Sequence, residues 1–211
     1  MIQRAYYRQN AFTLIELAIV LTIVGLLLVL ILKPWSLLES AQTKDLIATQ
    51  KAYVVAIDEF RKRFHYYPGD LPKAEDNFAT VSAACRLAVP PAGLATTGNG
   101  SIDTVGESDC VNEELNLAGL VSIPAGALVR QYKDQQITIR VIARTASNLA
   151  ATAAYPVGIK HIVEYSNVPM SMAVAIDSTL DDGNLIIGNV QRSDTATPNA
   201  DPVPFLGVKL D

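Results

Sequence analysis

The feature that most constrains this chain is an apolar run at residues 12–32, in which Glu16 is the one charged residue. At about 1.5 Å of rise per residue, a helix of this length reaches roughly 31 Å, enough to cross the hydrocarbon core of a bilayer. A carboxylate inside a membrane costs about 2.5–3.5 kcal/mol at the helix centre and less near the interface. We therefore expect Glu16 to have a function and its charge to be paired with another group.

The residues before the run form a short basic leader, residues 1–11. The leader contains Arg4 and Arg8 and no acidic residue, so the positive-inside rule keeps it cytoplasmic and sends the rest of the chain across the membrane. A secretory signal peptide would have a shorter apolar core and a small-residue cleavage site after it, but Lys-Pro-Trp-Ser follows at residues 33–36. A plain signal anchor would have no use for Glu16.

Phe12 and Glu16, together with the basic leader, resemble the N-terminus of type IV pilins and pseudopilins. The resemblance implies that a prepilin peptidase cleaves between Ala11 and Phe12 and methylates the new amine. That amine would be the partner of Glu16. Ala11 departs from the family, in which Gly usually precedes the cut, although Ala is also a small residue.

A kink or local melting of the helix is predicted near residues 30–34. Pro34 cannot donate its backbone N–H and crowds the preceding turn, and Gly25 weakens the helix nearby. Both positions are similar to those where many type IV pilins carry a helix-loosening Gly and Pro.

Residues 33–65 are expected to continue as the amphipathic half of one long helix. Apolar residues recur there at helical spacing and lay a stripe along one side: Tyr53, Ile57, Phe60 and Phe64. The pair Pro68-Gly69 favours a type II turn, which predicts that the helix ends at about residue 65.

Residues 66–211 are expected to form one periplasmic globular domain. Alternating patterns predict strands at residues 137–144 and 157–165, and two shorter strands at residues 170–176 and 185–190. A helix followed by a run of strands indicates an α+β fold. In that fold, as in a pilin, the long N-terminal helix packs on a C-terminal antiparallel β-sheet.

The two cysteines, Cys85 and Cys110, lie on the oxidising side of the membrane in this topology. A disulfide between them would stabilise the fold by roughly 3.5 kcal/mol in the chain-entropy model. Two free thiols are an alternative, and a metal site is disfavoured because the histidines are distant in sequence. Residues 92–109 are expected to form a loop, and residues 112–119 a short helix.

One acidic constellation stands out late in the chain: Asp177, Asp181, Asp182 and Asn184. One interpretation is a tight turn at Asp182-Gly183, whose side chains bond to their own backbone. The other is a calcium site, because Ca²⁺ takes about six to eight oxygen ligands and accepts carboxylates and amides from a loop.

The net charge and the motifs argue against a nucleic-acid-binding protein and against an enzyme. The net charge of −4, with 18% charged residues, gives no basic field for nucleic acid as the main partner. No Ser/His/Asp or Cys/His arrangement can be argued from the sequence, so the chain is expected not to be an enzyme. Calcium is the one cofactor that the sequence brings into question.

The sequence predicts a structural subunit: a minor pilin or pseudopilin of a type IV pilus or type II secretion-like filament. The resemblance implies partners, which are other pilin or pseudopilin subunits, the prepilin peptidase and methyltransferase, and the inner-membrane assembly platform. It also implies a single-pass inner-membrane protein whose periplasmic domain later enters an extracellular or periplasmic filament. The alternative is a membrane-anchored periplasmic binding module that never polymerises.

Overall fold

The computed structural model describes residues 13–32, 34–86, 98–123, 126–132, 135–147, 149, 158–193 and 200–210. The chain divides into two compact units, Met1–Ala41 and Gln42–Asp211. The leader, including the predicted cleavage site at Ala11 and Phe12, lies outside the described residues.

The described part of the first unit begins with helix α1, Leu14–Leu32. Between residues 14 and 28, Leu, Ile and Val make up most of this helix and lie on every side of it, and its polar side chains there are Glu16 and Thr22. Within the described part of the chain, no helix combines the length and the apolarity that crossing a membrane requires.

Helix α2, Pro34–Phe64, follows α1 after one residue, Lys33, which lies outside the described residues. Pro suits the first position of a helix because its missing N–H would have no intrahelical partner there. The predicted kink falls at this junction and stays a prediction.

The C-terminal end of α2 agrees with the sequence prediction. His65 follows Phe64 with a left-handed φ of 65°. The Asp70 N–H then donates to the Tyr67 carbonyl at 3.1 Å, and Gly69 has a φ of 86°, which is the geometry of a type II turn. The chain therefore reverses immediately after the helix.

The second unit contains a five-stranded sheet, and every strand pair in it is antiparallel. The strand order is β1-β2-β3-β5-β4. The strands are β1, Leu128–Tyr132; β2, Gln135–Ala143; β3, His161–Val168; β4, Val190–Arg192; and β5, Val203–Lys209. Helices together with an antiparallel sheet confirm the α+β class.

The predicted apolar stripe of α2 lies in the main hydrophobic core. Tyr53, Ile57 and Phe60 are buried and belong to the same cluster as buried residues of the sheet, while Phe64 is partly buried against it. Alternate residues of the strands supply the other side of this core: Ile137, Ile139, Val141, Val163, Tyr165, Leu206 and Val208.

The described part of this unit also contains the α-helices α3, Ala74–Asn77; α4, Val105–Leu117; and α5, Met170–Leu180. The loop predicted at residues 92–109 is wrong at its end, because α4 begins at Val105. The helix predicted at residues 112–119 therefore starts several residues earlier. Thr104 and Glu107 form a capping box at this start, which satisfies the first backbone N–H groups of α4.

Two of the strand predictions are wrong. Residues 170–176 lie in α5, and residues 185–189 form a turn that leads into β4 at Val190. Strands β1 and β5 were not predicted. The prediction at residues 157–165 places β3 too early, since β3 begins at His161.

Candidate functional site

Glu16 lies in the first turn of α1, where its carboxylate contacts Thr13. The Glu16 Oε2 atom accepts hydrogen bonds from the Thr13 backbone N–H at 2.9 Å and from the Thr13 hydroxyl at 3.0 Å. The Glu16 N–H donates in return to Thr13 Oγ1 at 3.3 Å. This reciprocal pair is a capping box, which satisfies backbone donors at the start of a helix.

Thr13 is a site residue that the sequence interpretation missed. The pattern Thr-x-x-Glu before an apolar run is the sequence signature of a capping box, so the signal was present. Among the described residues, no donor contacts the other carboxylate oxygen, Oε1. The cap therefore orients Glu16 at the helix N-terminus while one oxygen can still accept a bond from another group.

The surface of α1 is apolar and exposed. Leu14 is 91% exposed and Leu26 68% exposed, and nine other Leu, Ile and Val residues between positions 15 and 28 are also exposed. A large apolar side chain left in water costs about 1.5–3 kcal/mol relative to a buried one. The helix therefore needs an apolar environment that the described part of the chain does not give it.

The two cysteines form a disulfide in the second unit. The Sγ atoms of Cys85 and Cys110 are 2.02 Å apart, the Cα atoms are 5.6 Å apart, and both residues are buried. The bond joins the turn at residues 82–85 to α4. The predicted disulfide is confirmed, and the free-thiol and metal alternatives for these cysteines are wrong.

A buried polar network holds the turn at Gly69 against α4. The Gly69 N–H donates to Glu114 Oε2 at 2.8 Å, and a Cβ at position 69 would overlap the Glu107 carbonyl. The Asp70 carboxylate accepts from the backbone N–H groups of Asn99 at 3.1 Å and Gly100 at 2.7 Å. The left-handed φ and the close approach together require glycine at position 69.

Glu114 is the most perturbed carboxyl of this network. Its side chain is fully buried, and its Oε1 atom has no hydrogen-bond partner. Burial raises the pKa of Glu114 to about 8, the Gly69 N–H lowers it in part, and the nearby carboxylates of Glu113, Asp70 and Glu107 raise it further. Glu114 is therefore mainly protonated at neutral pH.

The structure brings three members of the acidic constellation together. One oxygen from each of Asp177, Asp181 and Asp182 lies within 4.8 Å of the others. The turn interpretation also holds in part, because Asp182 Oδ1 accepts from the Asn184 N–H at 2.8 Å and Asn184 Oδ1 accepts from the Ile186 N–H at 3.2 Å. Asn184 thus has a structural role in the turn.

Asp177 differs from its two acidic neighbours because it is fully buried and neither of its carboxylate oxygens has a hydrogen-bond partner. Burial raises its pKa to about 6, and the charges of Asp181 and Asp182 raise it as well. The backbone N–H of Gly183 lowers the pKa of Asp177 in part.

Comparison with known proteins identifies one family feature. Residues 6–32 match the model of the prokaryotic N-terminal methylation motif, which is the signature of type IV pilins and pseudopilins. No curated protein and no solved structure matches the chain. The motif supports a structural, type IV pilin-like protein that is anchored in the membrane or located in the cell envelope.

Proposed function

We propose that this chain is a minor pilin or pseudopilin, a structural subunit of a type IV pilus or type II secretion-like filament. The single observation that carries the proposal is the methylation motif at residues 6–32, which contains Glu16 and the predicted cleavage point between Ala11 and Phe12. In this proposal a prepilin peptidase removes residues 1–11 and methylates the amine of Phe12.

The exposed apolar surface of α1 supports this proposal. A helix with apolar residues on all sides is stable when lipid or other apolar helices surround it. In the proposed cycle, lipid of the inner membrane covers residues 12–32 before assembly. The equivalent helices of other subunits replace the lipid in the filament, and the inner-membrane assembly platform brings the subunits together.

In this proposal, Glu16 positions the incoming subunit when it moves from the membrane into the filament. Two opposite charges 4 Å apart attract by about 1 kcal/mol in water and by about 4 kcal/mol at an effective dielectric constant of 20. The Phe12 amine of an incoming subunit would bind Glu16 of its neighbour through the oxygen that the Thr13 cap leaves accessible. Pairing relieves the desolvation cost of both charges and fixes the axial register of the new subunit.

The test separates the charge of Glu16 from its capping role. Glu16→Gln keeps an oxygen that can accept from Thr13 but removes the charge, and we expect its incorporation into filaments to fall at least tenfold. Thr13→Ala removes the hydroxyl of the cap but keeps the charge, and we expect incorporation within about twofold of wild type, since a lost cap costs roughly 1 kcal/mol. Immunoblots of sheared filaments measure incorporation.

The amount of each variant in the membrane fraction controls for insertion. Mass spectrometry of the N-terminus shows whether Phe12 has become the methylated first residue in each variant. If Glu16→Gln entered filaments in the same amount as the wild-type chain, the proposed charge pairing would be ruled out. A processed wild-type chain that stays in the membrane while filaments form without it would favour the non-polymerising binding module.

A further inference from the structure

We propose that the C-terminal end of α5 and the turn that follows it form a calcium site, held by Asp177, Asp181 and Asp182. One oxygen from each side chain lies within 4.8 Å of the others. Because Ca–O distances are about 2.3–2.6 Å, two oxygens that bind the same ion are at most about 5.2 Å apart. The three carboxylates are thus already close enough to share one ion.

Asp177 is the residue that points to a ligand. It continues the buried face of α5, whose other members are the core residues Met172, Ala173 and Ile176. Neither oxygen of its side chain has a hydrogen-bond partner, and the two charges that act on it are both acidic. An ionised carboxylate in these surroundings is unfavourable unless a cation joins it, because burial and like charges favour the neutral acid.

The position of the three carboxylates at the end of a helix also favours a bound cation. Asp177 lies in the last turn of α5, Asp181 is its C-cap, and the last turn contains no basic residue. The carboxyl end of a helix carries partial negative charge, so carboxylates there are destabilising and a cation is favourable. A bound divalent cation would make the electrostatic environment of all three carboxylates favourable instead of unfavourable.

The turn already positions two of the three ligands. Asp181 Oδ2 accepts from the Asn189 N–H, and a Cβ at position 188 would overlap the Asp181 carboxylate, which explains Gly188 with its φ of 92°. Asp182 is exposed, so the site opens to solvent on one side and water can complete the coordination. A bound ion would tie the end of α5 to the turn that leads into β4.

The donor set favours calcium over other metals. All three side chains offer hard carboxylate oxygens, and zinc prefers nitrogen and sulfur ligands. Mg²⁺ demands near-ideal octahedral geometry and keeps several waters, whereas Ca²⁺ tolerates irregular sets of about six to eight oxygens. Three carboxylates can supply up to about six of these oxygens when each binds through both atoms.

The test uses the full chain in detergent micelles, freed of metal with a chelator and titrated with CaCl₂ by isothermal calorimetry. We expect one saturable site. At a free Ca²⁺ concentration about 100 times the dissociation constant, the unfolding temperature should rise by about 5–10 °C. Asp177→Asn and Asp182→Asn should each weaken Ca²⁺ binding at least tenfold, while the exposed Asp109→Asn on α4 should bind as wild type does.

The absence of saturable heat up to roughly 5 mM CaCl₂, beyond the range of extracellular calcium modules, would overturn the proposal. Unchanged affinity in Asp182→Asn would do the same, and this exposed variant decides the question even if Asp177→Asn fails to fold. MgCl₂ should bind at least tenfold more weakly, and equal affinity would contradict the assignment to calcium.

Discussion

Replacing both cysteines, as Cys85→Ala with Cys110→Ala, should lower the free energy of unfolding by about 3–4 kcal/mol. The disulfide closes a loop with a sequence separation of 25 residues, and opening that loop gives the unfolded chain more conformations. Alanine leaves no buried hydroxyl at either position, so the loss reports mainly on the cross-link. Urea unfolding of oxidised wild type and of the variant measures the difference.

The disulfide also holds one side of the buried network in place. Cys110 lies on α4, four residues before Glu114, which accepts the Gly69 N–H. The single variant Cys85→Ala should therefore cost nearly as much as the double variant, because either one opens the same loop. Reducing agent should lower the stability of wild type but not that of the double variant. A loss below about 1 kcal/mol would show that the unfolded chain stays compact without the bond.

The sequence predicted the elements whose signal is local and repeated. The end of α2 was predictable because Pro68-Gly69 is a strong turn signal and Tyr53, Ile57 and Phe60 recur at helical spacing. Strand β2 was predictable because its apolar and polar residues alternate over most of its length.

Residues 170–176 show where the same reasoning fails. Met, Ser, Ala, Val and Ile alternate there in a way that suits a strand, but Met and Ala also favour helix. The buried residues Met172, Ala173 and Ile176 fit one helical face, and the Met170 N–H at the helix start donates to Asp201 Oδ1 at 3.0 Å. A contact with a residue so distant in the chain cannot be predicted from a local pattern.

Strand β5 was missed because Pro204 argues against a strand within a sheet. The register runs from Ser166–Phe205 to Val168–Val203, so Pro204 falls opposite Asn167. Asn167 has a φ of 56°, a conformation outside the regular strand. The proline is tolerated at this local irregularity, which depends on the partner strand.

The residues of the candidate site also divide into those that the sequence could predict and those that it could not. The cysteine pair and the N-terminal motif were predictable because each depends on a few residues and on the side of the membrane they occupy. Glu114 and Asp177 could not be singled out as buried carboxyls, since their burial depends on how α4 and α5 pack against other elements.

Raising the pH from 5 to 9 should lower the free energy of unfolding of the wild type by about 3–5 kcal/mol through Glu114 alone. Burial raises the pKa of this carboxyl to about 8 in the folded protein, against 4.5 for a glutamate side chain in water. Between these two values the folded state binds more protons than the unfolded state, so stability falls as the pH rises. Well above pH 8 the carboxylate is ionised in both states, and this contribution no longer changes.

Glu114→Gln should remove this dependence, because the amide keeps an oxygen for the Gly69 N–H and never ionises. At pH 5 the variant should have about the stability of wild type, and at pH 9 it should be the more stable protein. Urea unfolding at pH 5, 7 and 9 measures the crossover, with Asp109→Asn on the exposed face of the same helix as the control. Parallel pH profiles for wild type and Glu114→Gln would mean that the folded protein ionises Glu114 as readily as the unfolded chain does. In that case water must reach Oε1, and the contact between the Gly69 turn and α4 must open in solution.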